Sequence, residues 1–248
     1  MRFLCLHGAI NNVDIMMLQL APLQKHLECD NAASFHYVNG LVSVTPPSGF
    51  DRYFGIGPHY RWLDDGGIAE ESLISRVRHI PLGDSPEDVM RGLIGGRKTI
   101  ILNYKEVMDY LYNELEKDSE IEGLIGYSEG AGIAATFILE EQQREKDGGG
   151  SRRIKCAMFV NGWPPVSRDR GVVLSDEVED MIDIPTLHVI GSDDPFKHGS
   201  CALYNICDPD LAEIFDTGKG HTMPRSGQTI TELGDAVRDL IGKTKCSE

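Results

Sequence analysis

The stretch Glu122-Gly123-Leu124-Ile125-Gly126-Tyr127-Ser128-Glu129-Gly130-Ala131-Gly132 limits this chain more than any other. It holds a Gly-x-Ser-x-Gly pattern centred on Ser128. Such a serine sits on a sharp strand-to-helix turn, where flanking glycines remove side chains that would clash. The surroundings suit that turn. Leu124 and Ile125 make a short apolar strand before it, and Ile133 to Leu139 has the apolar spacing of a helix after it. The competing reading is an ordinary Gly-rich strand-helix connection. A base and an acid later in the chain separate the two.

Both are supplied in order. After an apolar strand ending at Gly191 comes Ser192-Asp193-Asp194-Pro195-Phe196, and after a strand ending near Asp216 comes Gly218-Lys219-Gly220-His221-Thr222-Met223-Pro224. His221 is the candidate base, on a loop between a strand and an expected Pro-initiated helix. His7 and His188 lie at or within strands, and His198 is too near Asp194 to sit on a separate strand end. Of the two acids, Asp194 is favoured over Asp193. Its position lets the chain turn before presenting the carboxylate, and Pro195 is expected to start the next helix. The acid would hold the imidazole tautomer and stabilise the imidazolium. An oxyanion needs two backbone N–H donors: Glu129, after the nucleophile, and Ala9 or Ile10, after the first strand. Asn12 is read either as a contact in that loop or as a helix N-cap. Asn12, Tyr127, Trp62 and Trp163 are the candidate substrate contacts.

Strands are expected at residues 2–6, 35–38, 155–160, 184–191 and 211–216. Helices are expected at 12–27, 107–115, 177–181 and 230–241, with the elbow strand and helix between. This alternation predicts an α/β chain, a parallel sheet covered on both faces, in one domain over residues 1–248. Residues 41–100 break the period with Pro46-Pro47, Gly55, Gly57-Pro58 and Gly66-Gly67, and carry Phe50, Tyr53, Phe54, Tyr60 and Trp62. They are expected to form a lid or substrate-binding insertion.

With 24 basic against 39 acidic residues the net charge is −15, which excludes nucleic acid and anionic membrane as natural partners. Residues 51–105 are balanced in charge. An acidic acyl carrier or coenzyme A is therefore expected to approach the face bearing this segment, near Arg76 and Arg78. The six cysteines show no Cys-x-x-Cys pairing, so neither a zinc site nor a disulfide framework is expected, and the chemistry calls for no metal or cofactor. The N-terminal apolar run is too short for a signal peptide, and a cytoplasmic location is expected.

Leu6-His7-Gly8 with Gln19-Leu20, Gly126-Tyr127-Ser128-Glu129-Gly130-Ala131, Asn161-Gly162-Trp163-Pro164-Pro165, His188-Val189-Ile190-Gly191 with Asp194-Pro195, and Gly220-His221-Thr222-Met223-Pro224-Arg225 together resemble the fungal family of serine hydrolases. The resemblance runs through nearly the whole chain in the family's order. It implies an α/β-hydrolase fold, a triad on Ser128, Asp194 and His221, and release of an acyl chain from an ester or thioester. Some members are general esterases. Others resemble the lovastatin- and citrinin-pathway hydrolases, which act in trans on polyketide synthases. Glu129 stands where many members have Gln and is closer to that polyketide group, implying a carrier-bound acyl thioester as substrate. Ala9-Ile10-Asn11-Asn12 departs from the Gly- and Ser-containing loop of many members. A cyclising acyltransferase on the same triad, a general carboxylesterase and a non-catalytic binding protein stand as alternatives.

Overall fold

The structure, a computed structural model, describes residues 1–46, 55, 57–66, 80–95 and 100–245. Its centre is a sheet of six parallel strands: β1 (Arg2–Leu6), β2 (Ser34–Val38), β5 (Ile121–Tyr127), β6 (Cys156–Val160), β9 (Thr186–Ile190) and β10 (Ala212–Asp216). They lie in the order β10-β9-β6-β5-β1-β2. Every residue of β6 and β9 is buried, as near-continuous apolar runs require when helices cover both faces.

Alternation in the strands divides the core. Leu4, Leu6 and Leu124 point to one face, Phe3, Cys5 and Ile125 to the other. The first face is covered by α3 (Tyr104–Lys117), through Val107, Leu111 and Leu115, and by α4 (Glu129–Lys146), through Ile133 and Phe137. The second is covered by α1 (Val13–Glu28), through Met16, Leu20, Leu23 and Leu27, and by α6 (Gln228–Thr244), through Leu233, Val237 and Leu240. Helices cover both faces of the sheet, as expected.

The order of strands reverses between β1 and β5: the chain goes one way to β2, then the other way through β6, β9 and β10. In open parallel sheets, ligands bind outside the carboxyl ends of strands at this kind of switch point. The β1–α1 loop and the β5–α4 elbow face each other there. Their approach is so close that a Cβ on Gly130 would lie 2.1 Å from the Leu6 carbonyl oxygen.

Several expected elements differ. The described part of residues 41–100 contains regular elements. Val42–Val44 (β3) pairs antiparallel with His59–Arg61 (β4), and Pro86–Ile94 forms helix α2. Helix α2 carries a start signal in its sequence: Ser85 accepts the Asp88 N–H through its side chain, and Pro86 stands in the first turn. Val89, Met90 and Leu93 of α2 pack with Ala202 of α5 (Lys197–Tyr204) and with Leu174. Phe50, Tyr53, Phe54, Arg76 and Arg78 lie outside the described residues. Residues 178–181 form no helix; a single 3₁₀ turn at Ser175–Glu177 replaces it, since this acidic run has no apolar stripe and leaves Met181 exposed. Neither proline begins a helix: α5 starts two residues after Pro195, and α6 starts at Gln228 after the bends that follow Pro224. Two small antiparallel strands, β7 (Val166–Ser167) and β8 (Gly171–Val172), complete the chain.

Gly130→Ala places a methyl group against backbone that cannot rotate away, so it is expected to cost about 3 kcal/mol of stability by urea denaturation. A variant as stable as the wild type would mean that α4 and β1 are not packed this closely.

Candidate active site

Loops at the carboxyl ends of β1, β5, β9 and β10 carry the expected residues. Ser128 follows β5 directly and has φ 54° and ψ −117°, a left-handed conformation that a non-glycine residue adopts only under strain. Its N–H is bonded to the Val160 carbonyl (2.9 Å), which holds the turn to the adjacent strand. Glu129 opens α4, so its backbone N–H is among the first-turn donors without an acceptor inside the helix.

The Nδ1 of His221 lies 2.7 Å from Oδ2 of Asp194. Asp194 is 1% exposed, and its other carboxylate oxygen accepts the Phe196 N–H at 2.8 Å. Asp193 is exposed, and it is the Asp194 carboxylate that meets the His221 imidazole. Bonded this way, His221 carries its proton on Nδ1 and presents Nε2 as a free base. The loop bearing His221 is fixed from two sides. The Tyr127 hydroxyl donates to the His221 carbonyl (2.9 Å), with the rings 5.3 Å apart, and Phe196 meets the imidazole edge-on at 5.2 Å.

Asn161, at the end of β6, has a role that sequence reasoning missed. Its side-chain oxygen accepts the Gly191 N–H (3.1 Å) and its amide donates to the Thr222 carbonyl (3.3 Å). One side chain thus joins the loop bearing Asp194 to the loop bearing His221. The signal was the Asn161-Gly162-Trp163 stretch, read only as part of a resemblance.

The loop after β1 lies against the nucleophile: a Cβ on Gly8 would be 3.1 Å from the Ser128 Cβ. Ile10 has φ 53° and is buried, whereas Ala9 is exposed. Two expected substrate contacts are corrected here. Asn12 is buried as the N-cap of α1, its oxygen accepting the Ile15 N–H and its amide donating to the Pro58 carbonyl. Trp62 is fully buried and donates its indole N–H to the His7 carbonyl at 2.8 Å. Trp62 satisfies a buried carbonyl and Asn12 caps a helix, so both side chains are engaged within the fold. Tyr127 is 8% exposed and braces His221 instead. Trp163 is half-buried beside Phe196, with ring centroids 5.8 Å apart.

The description "Serine hydrolase (FSH1)" matches residues 1–233. The chain belongs to the FSH1 serine hydrolase family. Hydrolase phiM of Talaromyces stipitatus is 27% identical over 243 residues, covering 94% of this chain and 84% of that protein. Esterase FPY3 of Fusarium mangiferae is 24% identical, with 98% of each chain covered. The solved structure of Arabidopsis thaliana SOBER1 superposes with a TM-score of 0.51 at 17% identity, covering 98% of both chains, and shares the fold. The protein is therefore an enzyme with hydrolase activity on an α/β-hydrolase fold, as the motifs implied. No helix among the described residues is long and apolar enough to cross a membrane.

In this serine hydrolase two other buried histidines, His188 and His7, are held neutral. Burial lowers His188 to about 3 and His7 to about 4. The His7 ring closes the site from behind: its Nδ1 lies 2.7 Å from the Gly8 carbonyl and its Nε2 accepts the Gly40 N–H. His7 stays unprotonated in the fold down to about pH 4, while the unfolded chain takes up its proton near 6.5. The unfolded state therefore binds more protons in this window. Stability falls as pH drops from 6.5 towards 4, and His7 alone removes about 2 kcal/mol by pH 5. Urea denaturation across this range should show a shallower decline for His7→Gln, by up to about 1.4 kcal/mol per pH unit.

Proposed function

We propose that this enzyme releases an acyl chain from an ester or thioester through an acyl-Ser128 intermediate, with Asp194 and His221 completing the triad. The observation that carries the reading is the buried Asp194 carboxylate, bonded to His221 Nδ1 at 2.7 Å beside the strained turn of Ser128. His221 Nε2 takes the Ser128 hydroxyl proton as Oγ attacks the carbonyl carbon. The same proton passes to the departing alcohol or thiol, and water then repeats the sequence on the acyl-enzyme. The oxyanion rests on the Glu129 N–H and on a second N–H from the Ala9–Ile10 turn. Asp194 holds the imidazole through Nδ1 and stabilises the imidazolium.

We assign the acyl group to a polyketide-type chain presented as a thioester, from the resemblance to trans-acting polyketide hydrolases. The half-buried pair Trp163 and Phe196, next to His221, offers an apolar wall for such a chain.

A fluorophosphonate should label Ser128 in the wild type and fail to label His221→Ala. Asp194→Asn, which loses the correct imidazole tautomer, should lower kcat about 10⁴-fold on a short acyl thioester. Full hydrolysis by a folded Ser128→Ala variant would overturn the mechanism.

A further inference from the structure

The acid directly after the nucleophile is occupied in a way the triad does not explain. The Glu129 side chain is 14% exposed. One carboxylate oxygen accepts the Trp62 backbone N–H at 3.0 Å, and the other lies 3.3 Å from both Nε and Nη2 of Arg61. Arg61 in turn meets Asp65 at 3.4 Å and is 13% exposed. Burial pushes the Glu129 carboxyl up, and Arg61 is the first force opposing that shift. A buried charge of this kind is tolerated only when partnered.

The segment that holds Glu129 also holds the opposite wall of the site. Tyr60 exchanges both backbone hydrogen bonds with Asn11, at 2.7 and 3.1 Å. The Pro58 carbonyl accepts from the Asn12 side chain, and the Trp62 indole donates to the His7 carbonyl. Residues 58–62 therefore run across the mouth of the switch point. They are tied on one side to His7, Asn11 and Asn12, which flank the Ala9–Ile10 turn, and on the other to the first residue of α4. The two backbone N–H groups assigned to the oxyanion come from these two sides.

We propose that Glu129 is a positioning residue: its carboxylate fastens the strap of residues 58–62 to the elbow, so that the β1–α1 turn and the Glu129 N–H are set at a fixed separation for the oxyanion. This rests on the triad reading above. Arg61 completes the device by neutralising a negative charge that would otherwise stand next to the developing oxyanion and oppose it.

The test compares wild type, Glu129→Ala and Glu129→Gln on p-nitrophenyl butyrate, together with binding of an alkyl trifluoromethyl ketone and of butyrate, and fluorophosphonate labelling of the same samples. The ketone forms a tetrahedral adduct that needs the oxyanion donors, whereas butyrate does not. Glu129→Ala should lower kcat about 10²-fold, the scale of a small misplacement at a reacting centre, with KM near the wild-type value. Affinity for the ketone should fall by a comparable factor while butyrate binding holds. Glu129→Gln, whose amide oxygen still accepts the Trp62 N–H, should restore most of the lost kcat. If Glu129→Ala does not fold, Trp62→Phe tests the other end of the strap, since it keeps a buried ring and removes the indole N–H that bonds the His7 carbonyl. Wild-type kcat and ketone affinity in Glu129→Ala or Trp62→Phe, with Ser128 still labelled, would overturn the strap and leave the nucleophile standing. Absence of labelling in the wild type would overturn both.

Discussion

The structure depends on how closely α4 approaches the end of β1. With Gly130 touching the Leu6 carbonyl, the helix that begins after the nucleophile lies directly on the strand whose loop faces that nucleophile. A helix start directs free N–H groups and a partial positive charge to one point. A strand end beside it adds the backbone of a second loop. Oxyanion chemistry needs donors fixed before charge develops, and the contact between backbone atoms provides that rigidity without using a side chain. The reversal of strand order between β1 and β5 gives the crevice, and the missing side chain at Gly130 makes it narrow.

Around this point the charged groups fall into two kinds. His7 and His188 are kept neutral by burial and serve as hydrogen-bonding or packing parts of the core. Asp194 and Glu129 are also shielded from water, but each has a dedicated partner: the imidazole and a backbone N–H for Asp194, Arg61 and the Trp62 N–H for Glu129. Desolvation of a carboxylate is costly unless its lone pairs are met, so each acid comes with a constrained neighbourhood. Those neighbourhoods keep the loops around Ser128 in place.

Much of this was legible in the sequence, for physical reasons. Apolar runs such as Cys156–Val160 and Thr186–Ile190 belong to strands buried on both faces, and the elbow glycines mark a turn that few residues tolerate. Order along the chain places Ser128, Asp194 and His221 after β5, β9 and β10, because a parallel sheet puts all such strand ends on one edge. What could not be read were contacts between segments far apart in sequence. Trp62 and Asn12 look like exposed recognition residues until the His7 and Pro58 carbonyls they satisfy are seen. Arg61 is one of several basic residues in an apparently irregular stretch, and one of its partners, Glu129, is 68 positions away. Ser85-Pro86-Glu87-Asp88 spells the start of helix α2, but the prolines and glycines around it carry the signature of loops and mask that signal.

Asn161 ties the acid's loop to the base's loop from a third strand, and this couples two segments that the chain separates. Any lengthening of either loop must keep both Gly191 and Thr222 within reach of one short amide. The distance between acid and base is thereby insulated from change elsewhere on the rim: segments over the pocket can be rebuilt for a new acyl group while the proton-handling pair travels as a unit.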